Sequence, residues 1–164
     1  MPEKQTIERA RKRKREGKSP STQAGEFVRE EIHHVREGKH GARSPEQAIA
    51  IGLSKARRAG VNLRPPKKGK TSAATRRSAQ SALRAGRAKK KPSARRSRAA
   101  ISALRREGHS AGSTTALSRQ TRGAARRRGH RDLSAAAQKA VRTKGRSGRV
   151  AAARKAARTR ARQN

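Results

Sequence analysis

The chain has 164 residues, with 47 Lys and Arg against 10 Asp and Glu, for a formal net charge of +37 at pH 7. It contains no cysteine, no Trp or Tyr and one Phe, which excludes a disulfide framework, a thiolate zinc site, a cysteine nucleophile and an aromatic-rich core. No apolar run approaches the length of a membrane span, and "MPEKQTIERARKRKREGK" lacks the apolar stretch of a secretory signal; the expectation is a soluble, intracellular protein.

Charge and apolar content change together along the chain. Residues 1–64 hold 16 Lys/Arg and 8 Asp/Glu, net +8, whereas residues 65–164 hold 31 Lys/Arg and 2 acids (Glu107 and Asp132), net +29. Nine Val, Ile, Leu or Phe residues lie between Phe27 and Leu63, and seven lie in the 100 positions from Pro65 onward. An ordinary solvated surface mixes its charges; a segment this one-sided repels itself until a polyanion neutralises it. Nucleic acid is therefore the expected partner. Ordering costs about 1–2 kcal/mol per residue for backbone alone, which so few large apolar side chains do not offset. The region 65–164 is expected to be largely disordered in isolation, with short helical segments that order on phosphate.

Residues 1–18 read as a basic arm, helical from Glu3 to Glu16 and ended by Gly17, with only Ile7 and Ala10 to bury. "SPST" (19–22) supplies caps for a first convincing helix, in which Ala24, Phe27, Val28, Ile32 and Val35 fall on one face of a 3.6-residue period and Gly38 provides the stop. After the polar loop "GKHGAR", Ser44 as N-cap, Pro45 at the first helical position and Gln47 as the capping-box partner open a second helix. Its stripe is Ile49, Leu53 and Ala56, flanked by Ala48 and Gly52, whose small size permits close helix approach; Gly60 and "NLRPP" end it. Two helices joined by six residues predict an antiparallel hairpin at 19–64. About 40 residues is marginal for a lone core, so a homodimer through the hairpin, or docking on a partner, is expected.

The remainder divides into Ser/Thr-opened, Gly-closed segments at 71–86, 93–108, 113–129, 134–145 and 147–164. The fold class expected from these elements is mostly α: a small antiparallel hairpin followed by a long, largely disordered Ala/Arg-rich tail.

Chemistry in this sequence is carried by cations. The planar Arg fork pairs bidentately with phosphate oxygens, and the tail's 22 Arg outnumber its 9 Lys. The candidate nucleic-acid-binding residues are Arg76, Arg77, Arg95, Arg96, Arg105, Arg106, Arg126, Arg127, Arg128, Arg154, Lys155 and Arg158. A phosphate-binding loop is a further candidate, with Lys39, His40 and Arg43 just ahead of a helix N-terminus where free N–H groups and the dipole favour an anion. No pattern of base readout or aromatic stacking is present, so duplex backbone binding is expected. His33, His34 and His40 lie near Glu30, Glu31 and Glu37. Neighbouring His33 and His34 point to different helix sides, and without a third ligand at suitable spacing the reading is a plain surface, with no metal and no cofactor. Catalytic constellations are missing from the pattern, which predicts a non-enzyme with no small-molecule substrate.

Residues 19–65, "PSTQAGEFVREEIHHVREGKHGARSPEQAIAIGLSKARRAGVNL" and its flanks, resemble a family of small basic bacterial proteins that are often labelled DNA-binding or plasmid stabilization protein. The tail is similar in composition to linker-histone tails, with Arg largely replacing Lys. The resemblance implies a bacterial, cytoplasmic, nucleoid-located protein and carries no site residues with it. Together these readings predict a non-sequence-specific, histone-like or nucleoid-associated DNA-binding protein that condenses or bridges DNA. The rival expectations are an RNA-binding or ribosome-associated protein, and a protein-interaction adaptor anchored to DNA by its tail.

Overall fold

The computed structural model describes residues 2–88 and 93–162. Six α-helices and one short 3-10 turn account for the regular structure of the described residues, and no strand occurs among them. The helices are α1 (Lys4–Arg15), α2 (Pro20–Arg36), α3 (Pro45–Arg58), α4 (Ala73–Arg87), α5 (Ala94–Arg105) and α6 (Thr114–Ala161), with the 3-10 turn at Ser110–Gly112. The chain divides into two compact units, Met1–Gln120 and Thr121–Asn164.

Helix ends follow the expected chemistry. Ser19 caps α2, its Oγ accepting from Thr22 N at 3.4 Å, with Pro20 at the first helical position. Ser44 caps α3 in the same way, accepting from Gln47 N at 3.3 Å. Gln47 reaches back to the backbone N–H of Arg43 (2.7 Å) instead of that of Ser44, so the reciprocal bond falls one residue earlier than the standard box. Gly17, Gly38 and Gly60 follow the ends of α1, α2 and α3 with φ of 68°, 71° and 91°, where only glycine lacks a steric penalty.

α2 and α3 form the expected hairpin. Ala24 and Phe27 near the start of α2 pack with Ala56 near the end of α3, while Val35 near the end of α2 packs with Ala48 near the start of α3. This pairing of early with late residues is antiparallel. The seam on α3 is the small-residue line Ala48, Gly52 and Ala56, all buried, with Ile49 and Leu53 half-buried beside it. A Cβ on Gly52 would lie 2.7 Å from the Cα of Val28 and 3.0 Å from the Phe27 carbonyl oxygen. The two backbones are thus closer than any side chain allows. On α2 the central line is Phe27, Glu31 and Val35, fully or almost fully buried, and Val28 and Ile32 sit to its side. Glu31 therefore occupies a core position that the apolar stripe alone did not assign to it.

The hairpin does not stand alone. α1 lies on α2, where Thr6 and Ala10 are buried and Ile7 packs on Phe27 and its neighbours. α4 lies on α3, burying Ala79 and Ala82. Ala111 and Gly112, from the 3-10 turn, are buried against α2 and α3 beside Val35. The apolar faces that left a 40-residue hairpin short of a core are covered by this chain's own elements.

The expectation of a largely disordered tail with short helical segments is overturned: α4, α5 and α6 occupy most of the described residues beyond Pro65. Two physical reasons account for the difference. Ala, Arg and Lys rank at the top of the helix-propensity order, so the segments need little tertiary help. Counting only large apolar residues also overlooks the burial that Ala and Gly achieve by letting backbones approach. Gly86, expected to close its segment, is helical instead; a Cβ there would fall 2.0 Å from the Arg57 carbonyl oxygen. Gly129 (φ 75°, ψ 167°) and Gly145 (φ 63°, ψ −176°) do interrupt α6 at the expected places. Within the second unit, residues 130–144 and 146–161 are helical and none of them is buried. Residues 163–164 of the last expected segment lie outside the described residues.

The close approach at Gly52 makes a direct prediction. In an open helix, Gly→Ala would gain about 1 kcal/mol of propensity. Here the added methyl meets the backbone of α2, and Gly52→Ala is expected to lower stability by about 1–3 kcal/mol, read as a drop in the denaturation midpoint with unchanged helicity at low denaturant.

Candidate nucleic-acid interface

Three carboxylates of α2, Glu26, Glu30 and Glu31, are buried. On the α1-facing side of α2, Glu26 pairs with Arg13 (3.1 Å) and Arg9 (3.4 Å), and Glu30 Oε1 accepts from the backbone N–H of Glu3 at 3.1 Å. Glu3 accepts from His34 Nε2 at 2.9 Å and from Lys39 Nζ at 3.4 Å. Those two hydrogen bonds, the His34 one foremost, hold the Glu3 carboxyl below its ordinary range. The Glu26 carboxylate, with Glu16, pushes the Arg13 guanidinium up. Glu31 faces α3 and the loop, where Lys55 Nζ and His40 Nε2 (3.1 Å) stand against its two oxygens.

The expected phosphate loop is committed to the chain itself. Gly41 N–H donates to the Leu104 carbonyl at 2.9 Å, and Ala42 N–H donates to the Gly108 carbonyl at 3.0 Å. A Cβ on Gly41 would lie 1.8 Å from the Glu107 carbonyl oxygen, so this glycine lets the end of α5 close over the loop. Arg36 Nε fastens the same region by donating to the Gly112 carbonyl at 2.6 Å. Of the three loop candidates, Lys39 pairs with Glu37 (3.1 Å) and Glu3, and His40 faces Glu31. Arg43 is exposed and holds the cap through its backbone N–H.

The tail cations have the opposite setting. Among the described residues, every ion pair draws its cation from the first 55 residues. Arg77, Arg95, Arg96, Arg105, Arg106, Arg126, Arg127, Arg128, Arg154, Lys155 and Arg158 are all exposed, and Arg76 is half-buried. Arg76 and Arg77 lie on α4, Arg95, Arg96 and Arg105 on α5 with Arg106 at its end, and the other six on α6. Successive helical residues are about 100° apart around the axis, so Arg126, Arg127 and Arg128 splay around the helix instead of sharing a face. Arg154 and Arg158, one turn apart, do share one, and Arg146 lines the same groove with Val150 and Ala151. Adjacent-pair reading passed over Arg146, which is as exposed as those it selected; the i, i+4 and i+8 rows of 146–161 were the signal that would have found it.

No family model, curated protein or solved structure matches the chain. No helix among the described residues is long and apolar enough to cross a membrane.

The loop geometry is testable by amide exchange. The Gly41 and Ala42 N–H groups are expected to be protected and unmoved by inorganic phosphate, and Gly41→Ala is expected to remove that protection by lifting the end of α5 from the loop.

Proposed function

We propose that this protein binds the phosphate backbone of duplex DNA without reading its sequence, acting as a non-enzymatic, histone-like protein that condenses or bridges DNA. The observation that carries the reading is the separation of charge. Glu3, Glu16, Glu26, Glu31 and Glu37 pair with cations or histidines from the first 55 residues, whereas the cations of α4, α5 and α6 form no ion pair among the described residues and all but the half-buried Arg76 stand exposed.

Helix geometry gives the mode. An α-helix with its side chains is about 10–12 Å across, which suits a major groove about 12 Å wide. Cations splayed around such a helix reach phosphates of both strands, or of two duplexes at once. The Ala and Ser residues between them are too short and too sparing of donors to discriminate base pairs. Arg supplies the planar fork that pairs with two phosphate oxygens. The resemblance of residues 19–65 to small basic bacterial proteins labelled DNA-binding or plasmid stabilization protein supports a nucleoid setting.

Binding by counterion release makes affinity fall linearly in log K against log salt, with a slope of about −0.9 per phosphate contacted. Ten contacts give a slope near −9, and Arg126→Gln, Arg127→Gln and Arg128→Gln together are expected to flatten it by about 2.7 with affinity lost equally for all duplex sequences. Preference for structured RNA in direct competition at physiological salt would transfer the reading to an RNA-binding protein. A full-length protein that ignores duplexes in dilute buffer would end it.

A further inference from the structure

The most unusual group in the molecule lies away from the tail. Glu31 is fully buried, with both of its carboxylate oxygens held away from solvent. A buried carboxylate is costly unless it is paired, and cationic and imidazole groups crowd it. Lys55 Nζ stands at Oε2 and His40 Nε2 stands 3.1 Å from Oε1. Ligand atoms of Glu31, His34 and His40 all lie within 4.8 Å of one another. The two imidazoles meet edge to face with ring centroids 5.9 Å apart, and both side chains are 12% exposed.

The tautomer of His40 decides what this arrangement can hold. Its Nδ1 lies 3.0 Å from the Gly41 carbonyl oxygen, which can only accept, so Nδ1 carries the proton. In the neutral ring Nε2 is then a lone pair facing the lone pairs of Glu31 Oε1. Two lone pairs 3.1 Å apart call for a cation between them, and a proton on Nε2 or a metal ion supplies one. A metal ion meets the geometry. Ligand bonds of about 2.0–2.1 Å at tetrahedral angles place neighbouring donor atoms about 3.3 Å apart, close to the observed separation. The Nδ1–H bond to a backbone carbonyl is also the outer contact that fixes a metal-binding histidine with its other nitrogen free.

We propose that Glu31, His34 and His40 bind one zinc-type divalent ion that ties α2 to the α2–α3 loop. Glu31 Oε1 and His40 Nε2 are two of the donors, a ring nitrogen of His34 is the third, and water completes four-coordination. Two imidazoles and one carboxylate suit zinc in both softness and geometry. Lys55 on Oε2 orients the carboxylate so that Oε1 remains for the ion. Glu3, whose oxygen accepts from His34 Nε2 at 2.9 Å, holds the second ring from outside. The spacing explains why the linear pattern did not display the site. Glu31 and His34 are three residues apart on one helix face, but the loop has to fold back over α2 to bring in His40.

The test is a titration of metal-free, full-length protein with zinc alone, followed by calorimetry and by thermal melting, with cobalt as the coloured probe. One equivalent is expected, with visible bands of four-coordinate cobalt and a raised melting temperature that a chelator reverses. His34→Gln and His40→Gln are each expected to weaken binding at least about tenfold while circular dichroism remains that of the parent. His33→Gln and His109→Gln, whose side chains lie outside the group, are expected to leave affinity unchanged. The proposal is overturned by failure to take up zinc, by uptake that survives His40→Gln undiminished, or by an equal loss in His33→Gln. Should Glu31→Gln fail to fold, the two partly exposed histidines still decide the matter. DNA affinity is not read in any arm, so the outcome is independent of the proposed function.

Discussion

Glu31 stands in the line of Phe27 and Val35, and Glu26 and Glu30 occupy the adjoining face of the same helix. These three buried carboxylates give a strongly cationic chain something to fold around. Arg9 and Arg13 bring α1 onto Glu26, Lys55 brings α3 to Glu31, and His40 brings the loop to the same group. Attraction of this kind is weak at an exposed surface and grows as water is excluded. It acts here beside a seam of Ala48, Gly52 and Ala56 that excludes water by close backbone approach. Removing one partner of such a buried set leaves a charge unmatched, which costs more than the pair itself contributes.

The same arrangement separates the two roles of the cations. Arg9 and Arg13 of α1, Lys55 of α3 and Lys39 of the loop pair with acids within the fold. Those beyond Pro65 have only Glu107 and Asp132 for company among 31 positive side chains. Helix formation there is supported by Ala, Arg and Lys propensity, and by Ala79, Ala82 and Gly86 on α4, which settle against α3. No described residue of the second unit is buried, so its helices expose cations on every side. The proposed phosphate binding fits that exposure, and Glu107 and Asp132 are too few to cancel it beyond Pro65.

A polar loop with two glycines ahead of a helix can equally cradle an anion or admit another piece of backbone. The residues "GKHGARSP" are compatible with both. The carbonyls of Leu104 and Gly108 take the N–H groups of Gly41 and Ala42, and the glycine that permits close approach to a phosphate permits the approach of α5 instead. Gly86 shows the same duality: as a residue type it reads as a stop, and in the fold it is a point of contact inside a helix. Glycine reports that space or φ is needed, and its neighbours in three dimensions decide which.

Local chemistry was legible. Ser19, Ser44 and the Pro after each mark the starts of α2 and α3, Gly38 and Gly60 mark their ends, and the period of Ala24, Phe27 and Val35 marks the buried face, because caps and stripes act within one or two turns. The accumulation of positive charge beyond Pro65 was equally plain from the residues alone. Three things came only with the tertiary structure: that Glu31 is a core residue, that the loop amides are already satisfied, and that α4, at the start of the Ala-rich tail, packs on α3. Each depends on residues far apart in sequence meeting in space. Small side chains announce little in a linear pattern, and their contribution arises only when a second backbone comes close enough to use the room they leave.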